Sequence, residues 1–319
     1  MDEENQPHKF VLINGLEIAA EIKEEIKRDI ERIVEKQKGG QVRRPGLAVV
    51  MVGSRKDSLT YVQRKQEACA ELGIESFKTH FEDDQSVTDE DVIKTIQQYN
   101  ADDRVHGILV QLPLPSHLNE EKILESISPA KDVDGLTQFS FGLISMKGRK
   151  LVDGINFVPC TPLGIMEMIR RTAQKLNMNL EGLDSVVVGA SNIVGIPTAL
   201  VLLNQLQTSV QLLHIKSQNI PEKISKADIL VVCCGCAEII KPEWIKKGAI
   251  VIDVGLTPVE DKTQERGFRL VGDVLFDDNL KKRASAATPV PGGVGPVTIA
   301  SLMKNTYHSF LSKNPDLHL

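Results

Sequence analysis

The sequence lacks the features that define several large protein classes. No apolar run reaches the roughly 18 residues that a membrane-spanning helix requires. Lysine and arginine are scattered and the net charge is −5, so the basic stripe of a nucleic-acid surface is absent. No G-x-x-x-x-G-K-[ST] segment occurs, which argues against a P-loop nucleotide hydrolase. The histidines have no metal-ligand spacing. We therefore predict no metal site, no nucleic-acid partner and no membrane partner.

Cysteine is also sparse. The five cysteines are an odd number, which argues against a disulfide framework and for a reducing compartment. The N-terminal residues, MDEENQPHKF, are acidic and polar, unlike a signal or transit peptide. We therefore expect a cytoplasmic protein. Cys233 and Cys236 form one C-x-x-C pair, but a zinc ribbon needs a second pair, so packing at the end of a buried strand is the favoured interpretation.

What is present is an alternation of helices and strands. A length of 319 residues suggests two domains at about 100–200 residues each. The first series has predicted helices at 15–36, 58–72 and from 88, and predicted strands at 47–52, 75–81 and 105–110. The second series begins at Thr161-Pro162, a suitable N-cap and first helical residue, and has predicted strands at 185–188, 210–214, 229–233 and 250–254. Such alternation predicts an α/β fold with parallel, doubly covered sheets.

A glycine turn follows the predicted strand at 185–188. Gly189 and Gly195 bracket this turn, and an apolar helix follows it. A strand, a glycine turn and a helix N-terminus together form an anion site, because free backbone N–H groups and the helix dipole point at the ligand. The glycines stand six residues apart rather than five, so the G-x-G-x-x-G fingerprint is imperfect. A dinucleotide site and an ordinary tight turn both remain open from this segment alone.

Several polar residues of the first series have two interpretations. Tyr61 and Lys65 lie four residues apart and so share one helix face. This face either holds a lysine near a reacting group or is an ordinary half-exposed surface. Gln111 ends a predicted strand, where ligands of open α/β sheets bind. Asp134 lies in the segment Asp132–Gly135, which is either functional or a simple turn.

The segment Thr288–Pro296 is unusual in composition. It reads T-P-V-P-G-G-V-G-P, so proline fixes some dihedral angles while glycine frees others and brings bare backbone close to a neighbour. We interpret it as a ligand-contacting loop rather than a linker. A last helix is predicted at about 297–310.

Together these segments resemble the methylenetetrahydrofolate dehydrogenase/methenyltetrahydrofolate cyclohydrolase family. The matching motifs occur in one order along nearly the whole chain, at Ser58–Lys65 (S-x-x-Y-V-x-x-K), Val110–Pro115 (V-Q-L-P-L-P), Lys131–Gly135 (K-D-V-D-G), Pro159–Pro162 (P-C-T-P), Ser191–Pro197 (S-N-I-V-G-I-P), Gly248–Gly255 (G-A-I-V-I-D-V-G) and Thr288–Thr298 (T-P-V-P-G-G-V-G-P-V-T). Each motif is weak alone, whereas the ordered series is specific.

The resemblance implies a two-domain enzyme with a cleft between a folate-binding domain and a Rossmann-like dinucleotide-binding domain. We assign residues 1–155 and 297–319 to the first and 156–296 to the second. The resemblance also implies a homodimer. It implies that Lys65 is the central catalytic residue, that Gln111 hydrogen-bonds it, that Tyr61 stacks on the folate, and that Asp134 holds the pterin ring. The backbone expected to line the folate pocket is that of Pro289, Val290, Pro291, Gly292 and Gly293.

The same resemblance implies a set of cofactor contacts. It comprises Thr161, Gly189, Ala190, Ser191, Ile193, His214, Lys216, Ser217, Cys234, Gly235, Asp253, Gly255 and Thr298, the last lying toward the nicotinamide. Family members that use NADP commonly have arginine where Ala190 stands and serine where Ile215 stands. An NAD site usually has a carboxylate near the end of its second strand, and none follows His214. Lys216 and Ser217 offer substitute contacts, so we expect NADP, with NAD as the alternative.

The predicted function is therefore bifunctional. The enzyme is expected to oxidise 5,10-methylenetetrahydrofolate to the 5,10-methenyl compound with a nicotinamide cofactor and to hydrolyse that product to 10-formyltetrahydrofolate. Two alternatives stay open: a dehydrogenase without cyclohydrolase activity, and a non-catalytic nucleotide-binding regulatory protein. The presence of Lys65 and Gln111 together argues against the first alternative. The complete set of Tyr61, Lys65, Gln111 and Asp134 argues against the second.

Overall fold

The computed structural model describes residues 10–37, 39–40, 42–83, 85–146, 157–264 and 267–318. The strands, β1 to β11 in chain order, are Val11–Leu12, Gly46–Val52, Glu75–Phe81, Gly107–Val110, Asp184–Val188, Ser209–Leu213, Ile229–Val232, Ile250–Asp253, Thr257–Glu260, Phe268–Val271 and Ala286–Ala287. The helices, α1 to α10, are Gly15–Lys36, Lys56–Leu72, Asp89–Ala101, Glu120–Leu124, Gln138–Ser145, Cys160–Lys175, Gly195–Gln205, Ile220–Ile224, Asp278–Arg283 and Val294–Lys313. Of the described helices, none is long and apolar enough to cross a membrane.

The chain forms two compact units, which we name by their main sheets. The three-strand unit contains the described residues of 19–160 and 299–319, and the six-strand unit contains those of 1–18 and 161–298. Parallel strands alternate with helices in both units, as the predicted α/β fold class requires. The domain boundary predicted at 155/156 lies outside the described residues.

The three-strand unit is built on a parallel sheet of order β3-β2-β4. Its central strand β2 is buried along its whole length, as expected of a strand with neighbours on both sides and helices on both faces. Two predicted helix ends are confirmed. Gly73 ends α2 in the left-handed conformation, at φ 70°, and Thr88 begins α3 with a capping box completed by Asp91.

The six-strand unit has a parallel sheet of order β1-β11-β8-β7-β5-β6 and a separate antiparallel pair, β9 and β10. The core of this unit includes Val186, Leu230 and Val251, which come from three neighbouring strands. The four predicted strands of the second series are confirmed to within one residue at each end. Because β5, β7 and β8 are all parallel, their carboxyl ends lie along one edge of the sheet.

Three sequence predictions require correction. The prediction placed the N-terminal segment with the first series of elements. In the structure β1 instead pairs with β11 and extends the six-strand sheet, a pairing between distant segments that local patterns do not encode. Helix α6 begins at Cys160 rather than after Thr161, and α10 begins at Val294 rather than Val297. Each helix includes a proline in its first turn, where a missing N–H group removes no intrahelical hydrogen bond.

Candidate functional site

Lys65 lies on the buried face of α2. Most of the buried residues of this helix are three or four positions apart, which places them along one side. They are Ser58, Val62, Lys65, Ala68, Cys69 and Leu72. Lys65 is 9% exposed, so the interpretation of its helix face as half-exposed surface is wrong at this residue. Its Nζ donates a hydrogen bond of 2.9 Å to Oε1 of Gln111, which is the contact that the resemblance implied.

The amide of Gln111 is fixed in orientation. The residue directly follows β4, and its backbone N–H donates to the carbonyl oxygen of Val50 at 2.8 Å. Its side-chain Nε2 donates to the carbonyl oxygen of Leu112 at 2.8 Å. Because the amide nitrogen is held by that carbonyl, the amide oxygen is the atom that faces Lys65.

Burial lowers the pKa of the Lys65 ammonium, because removal from water disfavours its charged form. The negative charge of Asp134 acts in the opposite direction and only partly offsets this effect. Gln111 is neutral and adds no charge. The site therefore favours a neutral amine, which can accept a proton.

Asp134 is held by a network in the segment that contains it. The buried carboxylate of Asp132 accepts hydrogen bonds from the backbone of Leu136, from the backbone and hydroxyl of Thr137 and from the hydroxyl of Ser140. Asn305 donates from Nδ2 to the carbonyl oxygen of Val133 at 2.8 Å. The segment is therefore tightly determined on both sides of Asp134, unlike a simple surface turn.

Asp132, Asn305 and Cys160 are the residues of this site that the sequence interpretation missed. Burial raises the pKa of the Cys160 thiol well above its usual value, so the thiol is neutral beside Asp134. The K-D-V-D-G motif contains Asp132 and is its one sequence signal, but the family resemblance implied a role for Asp134 alone. Tyr61, which is half-buried and one turn before Lys65, belongs to the same unit as Lys65 and Asp134.

The glycine turn after β5 has the geometry of a cradle. Gly189 has φ 118°, and a Cβ on it would lie 2.4 Å from the carbonyl oxygen of Cys233. A Cβ on Gly195 would lie 1.8 Å from the carbonyl oxygen of Gly189. The hydroxyl of Ser191 accepts from the backbone N–H groups of Val194 and Gly195 at the start of α7. The turn thus leaves bare backbone at a helix N-terminus, which fits the pyrophosphate of a dinucleotide.

A polar turn follows the neighbouring strand β6. The hydroxyl of Ser217 accepts from the backbone N–H of His214 at 3.0 Å, and Nδ1 of His214 accepts from the backbone N–H of Lys216 at 3.1 Å. Ile215 is 97% exposed, and the side chain of Lys216 is exposed as well. Because Gly189 N–H donates to the carbonyl oxygen of Leu213 at 2.9 Å, this turn and the glycine turn start from adjacent strand ends.

The remaining predicted residues also belong to the six-strand unit. The hydroxyls of Thr161 and Thr298 are 3.2 Å apart and hydrogen-bonded. The loop that contains Pro289 to Gly293 packs on the start of α1, where the N–H of Gly15 donates to the carbonyl oxygen of Gly292 at 3.0 Å. Cys234 and Gly235 follow β7, and Asp253 and Gly255 lie at the end of β8. The carboxylate of Asp253 is buried and accepts hydrogen bonds from the backbone N–H groups of Gly255, Asp273 and Val274. It therefore holds the segments that contain these residues in place.

Family models match both parts of the chain. The model described as tetrahydrofolate dehydrogenase/cyclohydrolase, catalytic domain, matches residues 13–134. The model described as tetrahydrofolate dehydrogenase/cyclohydrolase, NAD(P)-binding domain, matches residues 159–314. The first range contains Lys65, Gln111 and Asp134, and the second contains the glycine turn.

Individual relatives agree with these matches over nearly full length. Bifunctional protein FolD 2 of Arabidopsis thaliana is 47% identical over 94% of this chain and 95% of its own. Bifunctional protein FolD of Acetivibrio thermocellus is 48% identical over 82% of this chain and 85% of its own. A solved structure of the Trypanosoma brucei methylenetetrahydrofolate dehydrogenase-cyclohydrolase, complexed with NADP cofactor and an inhibitor, is 37% identical. It covers 96% of this chain and 98% of its own, with a TM-score of 0.87.

Proposed function

Because the chain belongs to the tetrahydrofolate dehydrogenase/cyclohydrolase family, we propose that Lys65, Gln111 and Asp134 form its active site. The enzyme is bifunctional. It oxidises 5,10-methylenetetrahydrofolate to the 5,10-methenyl compound and hydrolyses that compound to 10-formyltetrahydrofolate. Its cofactor is NADP. The observation that carries the proposed site is the 2.9 Å hydrogen bond between the buried amine of Lys65 and Gln111.

The dehydrogenase step needs a nicotinamide cofactor, and the residues of the six-strand unit are suited to bind it. The turn from Gly189 to Gly195 leaves no room for a Cβ at either end, so a pyrophosphate can approach bare backbone at the positive end of the α7 dipole. When bound, the nicotinamide accepts a hydride from the methylene carbon of the substrate. The role proposed for Asp134 is to hold the pterin ring through two hydrogen bonds that its carboxylate accepts.

The hydrolysis step requires a group that moves a proton. Water attacks the methenyl carbon, and the adduct releases one proton of that water to solvent, which leaves a neutral carbinol. Neutral Lys65 then accepts the remaining hydroxyl proton and returns it to the ring nitrogen as the carbon–nitrogen bond breaks, which leaves the formyl group on the other nitrogen. Gln111 holds the amine in place without a charge that would stabilise its ammonium form.

The pH profile of hydrolysis tests this role of Lys65. The neutral amine is the active form, so kcat should rise with pH through an inflection below 10.5, the ordinary pKa of lysine. Gln111→Glu places a carboxylate beside the amine and favours its charged form, so the inflection should move to higher pH by about 1 unit or more. Gln63→Glu, on the exposed side of the same helix, is the matched control and should leave the profile in place. Equal profiles for wild type and Gln111→Glu would contradict the assignment.

Lys216 is proposed to supply the positive charge that favours NADP. No carboxylate stands among residues 214–218 to bind ribose hydroxyls, and the exposed ammonium of Lys216 suits the 2′-phosphate. Lys216→Ala should therefore lower the ratio of kcat/KM for NADP to that for NAD by about tenfold. Lys226→Ala, which removes an exposed lysine paired with Glu222, should not change the ratio. Unchanged discrimination in Lys216→Ala would move the phosphate site elsewhere.

Location and assembly are further parts of the proposal. All five cysteines are free thiols, which supports the reducing environment of the cytosol. The family resemblance implies a homodimer, so light scattering of the purified protein should give twice the mass of one chain.

A further inference from the structure

Two buried carboxylates that no step of the mechanism uses lie at the carboxyl edge of the six-strand sheet. Asp253 ends β8 and is 4% exposed, and Asp273 lies two residues after β10 and is 0% exposed. Buried carboxylates are costly unless their oxygens accept hydrogen bonds. Their partners therefore indicate what each carboxylate does.

Asp253 holds the segment that carries Asp273. Its Oδ1 accepts from the backbone N–H of Gly255 at 3.0 Å and of Asp273 at 2.9 Å, and its Oδ2 accepts from that of Val274 at 2.8 Å. A Cβ on Gly272 would lie 1.9 Å from Oδ2, so glycine is required for this approach. Asp253 thereby fixes the backbone on both sides of the Asp273 side chain.

Asp273 in turn holds the loop that follows β7. Its Oδ2 accepts from two successive backbone N–H groups, those of Cys234 at 2.8 Å and Gly235 at 2.9 Å. Its Oδ1 is buried and has no hydrogen-bond partner among the described residues. Both hydrogen bonds to the loop therefore depend on one oxygen, and hydrogen bonds to a charged acceptor are stronger than those to a neutral one.

The loop held by Asp273 adjoins the glycine turn. The Sγ of Cys233 donates to the carbonyl oxygen of Gly189 at 3.5 Å, and bare backbone at Gly189 is what allows the carbonyl of Cys233 to approach. Since β5 and β7 are neighbouring parallel strands, both segments extend from the edge where ligands of such sheets bind. The position of Cys234 and Gly235 thus bears directly on the cofactor site.

We propose that Asp273 is a positioning residue for the dehydrogenase, which fixes the Cys234–Gly235 backbone for the nicotinamide cofactor. Asp253 supports it by fixing the segment from which it projects. The inference rests on the proposed location of the NADP site at the glycine turn. It assigns to Asp273 an effect on cofactor binding and none on the hydrolysis of methenyltetrahydrofolate, which consumes no cofactor.

The experiment compares Asp273→Asn with the wild-type enzyme. Asparagine keeps the shape of the side chain but replaces the charged acceptor with a neutral one, so the loop is held less firmly. The dissociation constant of NADPH, measured from its fluorescence, should rise about fivefold, and the KM for NADP should rise with it. The kcat/KM for methenyl hydrolysis should stay within about twofold of wild type.

Asp228→Asn is the matched control. The carboxylate of Asp228 also accepts a backbone N–H, that of Asp184 at 3.1 Å, but it lies before β7, at the opposite edge of the same sheet. Its removal should leave NADPH binding unchanged. If Asp273→Asn does not fold, Gly235→Ala provides the test: Gly235 has φ 67°, and a Cβ on it would meet nothing within 4 Å, so a methyl group disfavours the loop conformation without a clash. It should also weaken NADPH binding severalfold.

An unchanged NADPH affinity in the folded variant would overturn the inference. So would a parallel loss of cofactor binding and hydrolysis, since that result means Asp273 stabilises the whole fold. The wild-type enzyme separates this failure from a failure of the proposed function, because wild type that neither binds NADPH nor hydrolyses the methenyl compound would refute the function itself.

Discussion

Lys65→Met should lower the kcat for methenyltetrahydrofolate hydrolysis by about a thousandfold, within the range that a general acid–base group contributes. Methionine is unbranched and apolar, so it suits the buried face of α2 while it removes the amine that accepts the proton. The variant should therefore remain folded and should bind NADPH as wild type does, because the glycine turn belongs to the other unit. Stopped-flow decay of the methenyl absorbance measures the rate.

Lys56→Met is the control for this substitution. Lys56 lies on the same helix but is exposed, so its loss should leave hydrolysis unchanged. Hydrolysis by Lys65→Met at a rate near that of wild type would show that the proton is moved by another group.

Asp134→Asn should raise the dissociation constant of the folate by about tenfold or more, the effect of losing a hydrogen bond to a charged acceptor. Asparagine has the same size but replaces one acceptor oxygen with a donor, so it cannot accept two hydrogen bonds from a pterin amino and ring N–H pair. The segment around it should keep its structure, because Asp132 and Asn305 hold it through their own hydrogen bonds. NADPH affinity should change little.

Asp103→Asn is the matched control, since Asp103 is an exposed carboxylate of the same unit. Isothermal titration with a folate ligand measures both variants. A wild-type folate affinity in Asp134→Asn would place the pterin site elsewhere.

Local sequence patterns predicted the regular elements well. The isoleucines of α1 recur at helical spacing, and the helix spans the predicted residues, Gly15–Lys36. The glycine at position 73 marked the end of α2, and the apolar runs of β5, β7 and β8 marked buried strands. These predictions succeed because helix periodicity, capping and strand burial depend on neighbouring residues.

The supporting residues of the sites could not be predicted in this way. Asn305 holds the carbonyl of Val133 across 172 residues of sequence, and Asp273 holds the loop of Cys234 across 39. An aspartate in a turn motif gives no local sign of whether its carboxylate faces water or a distant backbone. The same limit explains β1, whose partner β11 lies at the far end of the chain.

In the most direct test, the wild-type enzyme is mixed with 5,10-methylenetetrahydrofolate and NADP. The concentrations of NADPH and of the methenyl compound are then measured over time in one sample. Because one enzyme performs both steps, NADPH should form in excess over the methenyl compound, and the excess should equal the amount of 10-formyltetrahydrofolate. That product should form faster than the methenyl compound hydrolyses in an enzyme-free control. The methenyl compound accumulating in equal amount with NADPH would identify a dehydrogenase without cyclohydrolase activity. Formation of no NADPH would contradict the account at its centre.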